Sequence, residues 1–162
     1  MKITSTYKKG FSLIELMVVI AIIAILTAII TSNFTQSKAK ARDAKRVSDI
    51  AQLQLSLALF FDRCNRYPES DGTTAITTDL TDTDHCPSGI TLGTYMSVIP
   101  TPPPGSTISY YKYVSSGLDY VIAIDLEQPS SALSDDLDGT VDIDGIDVDC
   151  DDAARWYCVK PN

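Results

Sequence analysis

An apolar run dominates the first part of the chain. Residues 11–30 read FSLIELMVVIAIIAILTAII, interrupted only by Ser12, Glu15 and Thr27. As a helix this run would be about 30 Å long, which is roughly the hydrocarbon thickness of a bilayer. The pattern therefore predicts a membrane-spanning helix over residues 11–31.

The helical pattern continues beyond the apolar run with a different composition. No Gly or Pro occurs between the apolar run and Phe61, and apolar residues recur at spacings of three and four, at Ile50, Leu53, Leu57 and Phe60, joined by Val47 and Ala51. Such a stripe lies on one face of a helix and faces a core. We therefore expect one long helix whose second half, residues 32–62, packs against a domain. It should end before Pro68, because proline cannot continue the hydrogen-bond ladder.

The remainder of the chain, residues 63–162, predicts a globular head. Residues 63–106 are rich in Thr, Asp, Pro and Gly, which is typical of a long loop. Residues 107–126 alternate β-branched and aromatic residues around a Ser-Ser-Gly turn, which indicates a β-hairpin, and residues 155–160 are a candidate third strand. The predicted fold class is α+β, with a long N-terminal helix packed on a small antiparallel sheet.

Four cysteines without a C-x-x-C pair favour disulfides over zinc. We expect Cys64 to pair with Cys86 and Cys150 with Cys158, because each bridge closes a short loop in an irregular stretch. Such bridges imply an oxidising compartment. The alternative is a metal site that uses His85 beside Cys86, although adjacent residues rarely both reach one ion.

The charge of the chain is divided unevenly. Residues 1–66 hold ten Lys and Arg against four acids, a balance of +6, whereas residues 67–162 hold three against seventeen, a balance of −14. A basic segment beside an apolar run suits an anionic membrane surface, and an acidic head would be repelled by phosphate backbones. We therefore expect a membrane partner and no nucleic acid bound by the head.

An acidic segment, residues 135–152, contains nine aspartates and no Lys or Arg. Hard oxygen ligands that alternate with glycines suit Ca²⁺, so this C-terminal segment is a candidate calcium site. The match to an EF-hand is partial, because Thr140 replaces the first acid and Asp151 replaces the final Glu. The alternative is a solvated acidic loop. The predicted ligands are Asp142, Asp144, Asp147, Asp149 and Asp151.

Two simpler interpretations of the apolar run are less satisfactory. A secretory signal has a core of about 7 to 15 residues, and the small residues of Ala39-Lys-Ala41 lie beyond a polar stretch. A plain anchor explains the length but not Glu15, because a carboxylate in an apolar span costs at least about 2.5 kcal/mol. Glu15 should therefore have a partner, or else stay hydrated near the helix N-terminus, whose dipole favours it.

The residues around this glutamate resemble a known signature. Residues 8–26, KKGFSLIELMVVIAIIAIL, are similar to the prepilin signature that type IV pilins and type II secretion pseudopilins share. The resemblance implies that a prepilin peptidase cleaves between Gly10 and Phe11 and that the new α-amino group of Phe11 is methylated. It also implies that Glu15 pairs with the N-terminus of Phe11 on a neighbouring subunit, which sets the axial register.

The leader peptide, residues 1–10, fits this processing. Lys8 and Lys9 would hold it at an anionic cytoplasmic surface. Gly10 has no side chain and would let the protease approach the scissile bond closely.

The resemblance further implies a fold, a function and a location. The fold would be the pilin fold with a disulfide-closed C-terminal loop, and some major pseudopilins bind calcium in that loop. The chain would be a structural subunit that polymerises with identical or related subunits on an inner-membrane assembly platform, in a type II secretion pseudopilus or, as the close alternative, a type IV pilus. It would cross the membrane once, with a cytoplasmic N-terminus before processing and an extracytoplasmic head. Charge counting over the basic residues 38–46 alone favours the opposite orientation.

The rival function is a monomeric, membrane-anchored extracytoplasmic domain that binds calcium or a cationic partner through its acidic loop. An enzyme is not expected. The chain has no G-x-S-x-G, P-loop, dinucleotide or H-E-x-x-H motif, and its single histidine leaves little for acid–base chemistry.

Overall fold

The computed structural model describes residues 10–161, except for the side chains of residues 29–33. The chain divides into two compact units, of which the first ends at Ser37 and the second begins at Lys38. The elements are helix α1 (Leu13–Cys64) and strands β1 (Ser70–Asp71), β2 (Lys112–Ser115), β3 (Tyr120–Asp125), β4 (Gly139–Ile143), β5 (Ile146–Cys150) and β6 (Trp156–Val159), with 3₁₀ turns at Leu92–Thr94, Ser131–Ser134 and Asp152–Ala154.

In the first unit, helix α1 presents apolar side chains on all sides. Twelve large apolar side chains between Phe11 and Leu26 are 48% to 89% exposed. An exposed apolar surface of this kind marks a contact with a membrane or another protein. Among the residues described, no helix combines the length and the apolar character needed to cross a membrane. The span predicted over residues 11–31 stays a prediction.

The second unit has three layers. The central layer is an antiparallel sheet in the order β1-β2-β3-β6. Helix α1 covers one face, and a separate hairpin of β4 and β5 lies against the other. All six residues of β3 are buried because both faces of this strand are covered. The predicted α+β class, with a long helix on an antiparallel sheet, is confirmed.

The core on the helix side follows the predicted stripe. Ile50, Leu53, Leu57 and Phe60 are at most 1% exposed, whereas Ala51, which we assigned to the same stripe, is exposed. Ala51 lies outside the stripe, because with about 3.6 residues per turn it is rotated by about 100° around the helix from Ile50. The sheet contributes alternate residues to this core, among them Tyr113, Tyr120, Ile122 and Ile124.

The second core corrects the prediction of an acidic loop. Residues 139–150 form the β4–β5 hairpin, with a tight turn at Asp144 and Gly145, both of positive φ. Its inner face places Ile143, Val148 and Cys150 against the sheet. The period-two pattern of apolar residues in this hairpin is concealed in the sequence, because the intervening aspartates dominate the composition. This hairpin forms the third layer of the second unit.

The predicted hairpin over residues 107–126 is confirmed in part. Strand β2 begins only at Lys112. The preceding segment is held by a side chain, because the Asp125 carboxylate accepts hydrogen bonds from the Ser106 hydroxyl and from Thr107 N–H at 2.7 Å. The third strand predicted at residues 155–160 is confirmed as β6.

A buried ion cluster connects helix α1 to the end of β3. Arg46 has no solvent exposure, and its guanidinium contacts the carboxylates of Asp43 and Glu127. It also donates to the carbonyl oxygens of Pro103 at 3.0 Å and Pro104 at 3.1 Å. Its Nε is one of the few buried polar atoms in the described residues without a hydrogen-bond partner.

Further bonds complete this cluster. Asp43 accepts from the backbone N–H groups of Glu127 at 3.0 Å and Gln128 at 2.9 Å. Arg42 makes a bidentate contact with the Glu127 carboxylate. The cluster therefore fixes three segments to one another: the helix, the proline-rich loop and the chain that leaves β3.

Gly105 lies beside this cluster and needs to be glycine. Its φ is +103°, and an added Cβ would lie 2.5 Å from the Glu127 carboxyl group. Gly105→Ala should therefore lower the free energy of unfolding of the unit 38–162 by about 2 kcal/mol, from backbone strain and displacement of Glu127. Thermal melts would measure this. Gly89→Ala is the matched control, because φ there is +85° with nothing within 4 Å of a Cβ. Equal losses in both variants would contradict a steric contact with Glu127.

The same cluster predicts a pH dependence of stability. The hydrogen bond from Arg42 holds the pKa of the Glu127 carboxyl below its usual value. The stability that Glu127 contributes is therefore fully present above the unfolded pKa of about 4.3 and is lost as the pH falls through the lower folded pKa. Denaturant titrations should show that Glu127→Gln is less stable than wild type at pH 7 and that the gap closes in acid. Glu69→Gln, which removes an exposed pair with Arg66, should stay near wild type at both pH values. A gap for Glu127→Gln that persists in strong acid would refute the linkage.

Candidate functional site

The predicted processing site lies where the chain enters helix α1. Gly10 and Phe11 precede the helix, and Phe11 is 89% exposed. Apart from its chain neighbours, no described residue has an atom within 4 Å of a Cβ built on Gly10, so the described part of the chain leaves this residue open on that side. Lys8 and Lys9, which we predicted to hold the leader at the membrane, lie outside the described residues.

Glu15, the predicted assembly residue, bonds within its own chain. Its carboxylate accepts from Ser12 N–H at 3.4 Å, and its own N–H donates to Ser12 Oγ at 3.3 Å. This is a capping box, in which two backbone donors at a helix N-terminus are satisfied reciprocally. Ser12 was not among the predicted site residues, although the S-x-x-E spacing before an apolar run is a recognisable signal for such a box.

Both predicted disulfides are confirmed. Cys64 pairs with Cys86 and Cys150 pairs with Cys158, and no free cysteine occurs in the described part of the chain. The first bridge joins the last residue of α1 to the long loop, and the second joins β5 to β6. The alternative metal site at His85 and Cys86 is wrong, because Cys86 is oxidised and His85 Nδ1 lies 3.0 Å from the Asp82 carboxylate.

The predicted calcium ligands are distributed over the β4–β5 hairpin. Asp142 and Asp147 form a cross-strand pair on the outer face, and Asp149 is exposed on the same face. Asp144 lies in the turn, and Asp151 caps the following 3₁₀ turn by accepting from Ala153 N–H at 2.8 Å. In the described residues, no group of three His, Cys, Asp or Glu side chains is arranged to hold a metal ion.

A different set of aspartates is brought together by the fold. Burial, together with the nearby carboxylates of Asp152 and Asp138, raises the pKa of Asp136 to about 6. Burial and the Asp138 carboxyl likewise raise the pKa of Asp152. Asp136 Oδ2 accepts from Cys158 N–H at 2.8 Å, but Asp136 Oδ1 and Asp152 Oδ1 are buried without a partner. No local pattern predicts this cluster, because its members come from opposite ends of the acidic segment.

Comparisons with known proteins agree with the N-terminal features. Residues 5–31 match the model of the prokaryotic N-terminal methylation motif. The type II secretion system core protein G of Vibrio cholerae serotype O1 is 34% identical over 109 residues, which are 67% of this chain and 71% of that protein. The corresponding protein of Pectobacterium carotovorum is 39% identical over 64 residues, 40% of this chain and 41% of that one. The chain thus spans about two fifths of the Pectobacterium protein.

A pilin is also similar. The type IV major pilin protein PilA of Myxococcus xanthus is 38% identical over 61 residues, which are 38% of this chain and 28% of the pilin. No solved structure matches the chain. The methylation motif, the long helix on an antiparallel sheet and the extended match to core protein G lead to one assignment. The chain belongs to the family of type IV pilins and type II secretion pseudopilins.

Proposed function

We propose that this protein is a structural filament subunit that is cleaved after Gly10 and polymerises through the first part of helix α1. One observation supports this most directly. The methylation motif coincides with an exposed, non-helical Gly10–Phe11 bond, and a helix with exposed apolar side chains on all sides follows it. Apolar side chains that are exposed in the single chain need a bilayer or neighbouring helices to cover them. In the proposed subunit, the bilayer covers these side chains before assembly, and neighbouring helices cover them in the filament.

Before assembly, residues 11–31 hold the subunit in the membrane. This run is long enough to span a bilayer when helical. The hydroxyls of Ser12 and Thr27 bond to the helix itself, since Ser12 Oγ accepts from Glu15 N–H and Thr27 donates to the Ile23 carbonyl oxygen at 2.7 Å. Such bonding lowers the cost of polar groups in lipid. The disulfides are consistent with an extracytoplasmic head, because they persist in oxidising compartments.

The relatives support a type II secretion pseudopilus more than a type IV pilus. The match to the type II secretion core protein of Vibrio cholerae covers 109 residues, whereas the match to the pilin covers 61 residues. We therefore propose a pseudopilus subunit, with a prepilin peptidase, identical or related subunits and an inner-membrane assembly platform as partners. A type IV pilus subunit is the second candidate.

Two measurements on the full chain test this function. Mass spectrometry of membrane fractions from cells with a prepilin peptidase should find a mature N-terminus at Phe11 that carries a methyl group. Glu15→Leu should be processed but should not assemble, because the neighbour's α-amino group would lack its counter-charge. Thr27→Leu is the matched control, since it makes the same polar-to-apolar change about three turns further along the helix, and it should assemble.

An unprocessed chain, or filaments of Glu15→Leu as abundant as wild type, would contradict the proposal. The second result would favour a plain membrane anchor and the rival function of a monomeric binding domain.

We further propose that the acidic segment binds Ca²⁺. Two buried oxygens without a hydrogen-bond partner, Asp136 Oδ1 and Asp152 Oδ1, support this proposal. Such oxygens lower the stability of the fold unless a cation or a hydrogen-bond donor reaches them. Calcium accepts six to eight oxygen ligands, which include backbone carbonyls and water as well as carboxylates. Asp136 and Asp152 would supply side-chain ligands, and the ion would neutralise a segment that holds no Lys or Arg.

Thermal melts of residues 38–162 with calcium or chelator would test this site. Calcium should raise the melting temperature of the wild type by mass action. The rise should be lost in Asp136→Asn with Asp152→Asn and kept in the matched pair Asp142→Asn with Asp147→Asn. An unchanged wild-type melt in millimolar calcium would contradict binding. Loss of the rise only in the second pair would place the ion on the hairpin face that the sequence predicts.

A further inference from the structure

An open groove of about 430 Å³ lies in the second unit, between helix α1 and the chain that follows β3. Lys40, Asp43, Ala44 and Val47 line it from the helix, and residues 128–132 line it from the other side. Ligand pockets typically have volumes of about 300 to 1,000 Å³. The groove is therefore large enough to bind a small polar group, and the functions proposed above assign it no role.

Two polar side chains of the groove are available to a ligand. The carboxylate of Asp43 is already neutralised within the ion cluster described above. The Gln128 amide and the Ser130 hydroxyl bond to backbone groups of their own segment. Lys40 and Ser131 are exposed, and Lys40 forms no salt bridge with any residue that the structure describes. An ammonium group and a hydroxyl donor on one groove suit an anion, and phosphate is a common partner of lysine.

The exposed lysines near the groove surround the helix instead of lying on one side of it. At about 100° per residue, Lys38 and Lys45 are rotated by about 140° to 160° around the helix from Lys40. Both aspartates of the helix within residues 34–61 are buried, so the exposed charges of this part are positive. A protein partner would cover one side of a helix, whereas the surface of a bilayer surrounds a helix that emerges from it. The distribution therefore favours an anionic lipid surface.

The spacing along the chain agrees with a lipid ligand. Lys40 follows residue 31, the end of the proposed membrane span, by nine positions, which correspond to about 14 Å of helix. The headgroup layer is roughly 5 to 8 Å thick on each side of the hydrocarbon core. A helical side chain points back towards the N-terminus of its helix. The Lys40 ammonium group would therefore approach the headgroups, within the Debye length of about 8 Å at physiological salt.

We propose that the groove beside Lys40 binds the phosphate group of an anionic phospholipid in the leaflet from which the head emerges. The Lys40 ammonium pairs with the phosphate, and the Ser131 hydroxyl donates a hydrogen bond to one of its oxygens. The same lipid surface repels the acidic segment, so the groove determines which part of the head faces the bilayer. The inference rests on the proposed function in one respect, the placement of the chain in a membrane. It also gives a role to basic residues on the side of the membrane where charge counting disfavours them.

Native mass spectrometry of the full chain in detergent would measure this binding. The chain is offered phosphatidylglycerol and phosphatidylcholine with identical acyl chains, so that contacts with the apolar helix cancel in the ratio of the two bound lipids. Wild type should favour phosphatidylglycerol. Lys40→Gln should lower the ratio about fivefold, the effect expected of one lysine near an anionic surface. Lys40→Arg keeps the charge and should stay within about twofold of wild type.

Two further variants separate the groove from a general effect of charge. Ser131→Ala changes no charge and should lower the ratio about two- to threefold through the lost hydrogen bond. Lys160→Gln is the matched control for net charge. The Lys160 carbonyl oxygen accepts from the Gln54 amide, fourteen residues and about 21 Å further along the helix than Lys40. This variant should leave the ratio within about twofold of wild type.

The outcomes separate this site from its alternatives. Equal losses in Lys40→Gln and Lys160→Gln, or no loss in Ser131→Ala, would overturn the groove as the binding site. Equal binding of the two lipids by wild type would overturn an anionic lipid as the ligand. Displacement of phosphatidylglycerol by millimolar inorganic phosphate would assign the groove to a free anion instead. An unchanged ratio in Lys40→Gln, together with a loss of filaments in cells, would assign Lys40 to an acidic surface of a neighbouring subunit.

The lipid ratios also distinguish this inference from the function proposed above. They require neither cleavage nor assembly, so a failed lipid experiment leaves the filament function standing. An unprocessed chain in cells would instead overturn the filament function and leave the lipid ratios unchanged.

Discussion

The buried guanidinium of Arg46 is the interaction on which the head depends. It joins a helix, a proline-rich loop and the end of the central strand, which are otherwise far apart in sequence. A buried charge is costly to remove from water, and loss of one partner of a buried pair typically costs about 3 to 5 kcal/mol. The surrounding carboxylates and carbonyl oxygens are therefore required together. Arg46 thus fixes the position of helix α1 on the sheet more specifically than the apolar stripe alone would.

The disulfides act where the chain has little regular structure of its own. The long loop between α1 and β2 contains only a two-residue strand and one 3₁₀ turn, and Cys64–Cys86 holds it to the end of the helix. Cys150–Cys158 joins the outer hairpin to the edge strand β6. Cross-links of this kind chiefly restrict the unfolded chain. They let a small head keep a third layer whose outer face is almost entirely charged.

The sequence predicts those parts of the structure in which local pattern and packing agree. The stripe from Ile50 to Phe60, the strand at Trp156 and both cysteine pairs are of this kind. The β4–β5 hairpin was missed because alternating aspartates conceal Val141, Ile143, Ile146 and Val148. The electrostatic interaction of Asp136 with Asp152 and the burial of Arg46 depend on tertiary packing, which no spacing in the sequence specifies. The capping box of Ser12 and Glu15 differs from these features, because its S-x-x-E spacing is visible in the local sequence.

Charge gives the two ends of the proposed subunit opposite roles in a filament. Without residues 1–10 the chain has ten Lys and Arg against 21 acids, and several of these cations already pair within the head. No salt bridge in the described part of the chain involves residues 135–152. Acidic heads therefore repel one another within the Debye length of about 8 Å at physiological salt.

Attraction between subunits must then come from the apolar first part of helix α1, where exposed side chains gain about 25 cal/mol for each Å² that they bury. Burial of this kind is non-directional and does not choose a register. The carboxylate of Glu15 is the one ionisable group among the side chains described from Phe11 to Ala28, so it is the group in that segment that distinguishes one axial position of a neighbour from another. Apolar burial supplies the affinity of the proposed filament, and a single charge near the helix N-terminus supplies its register.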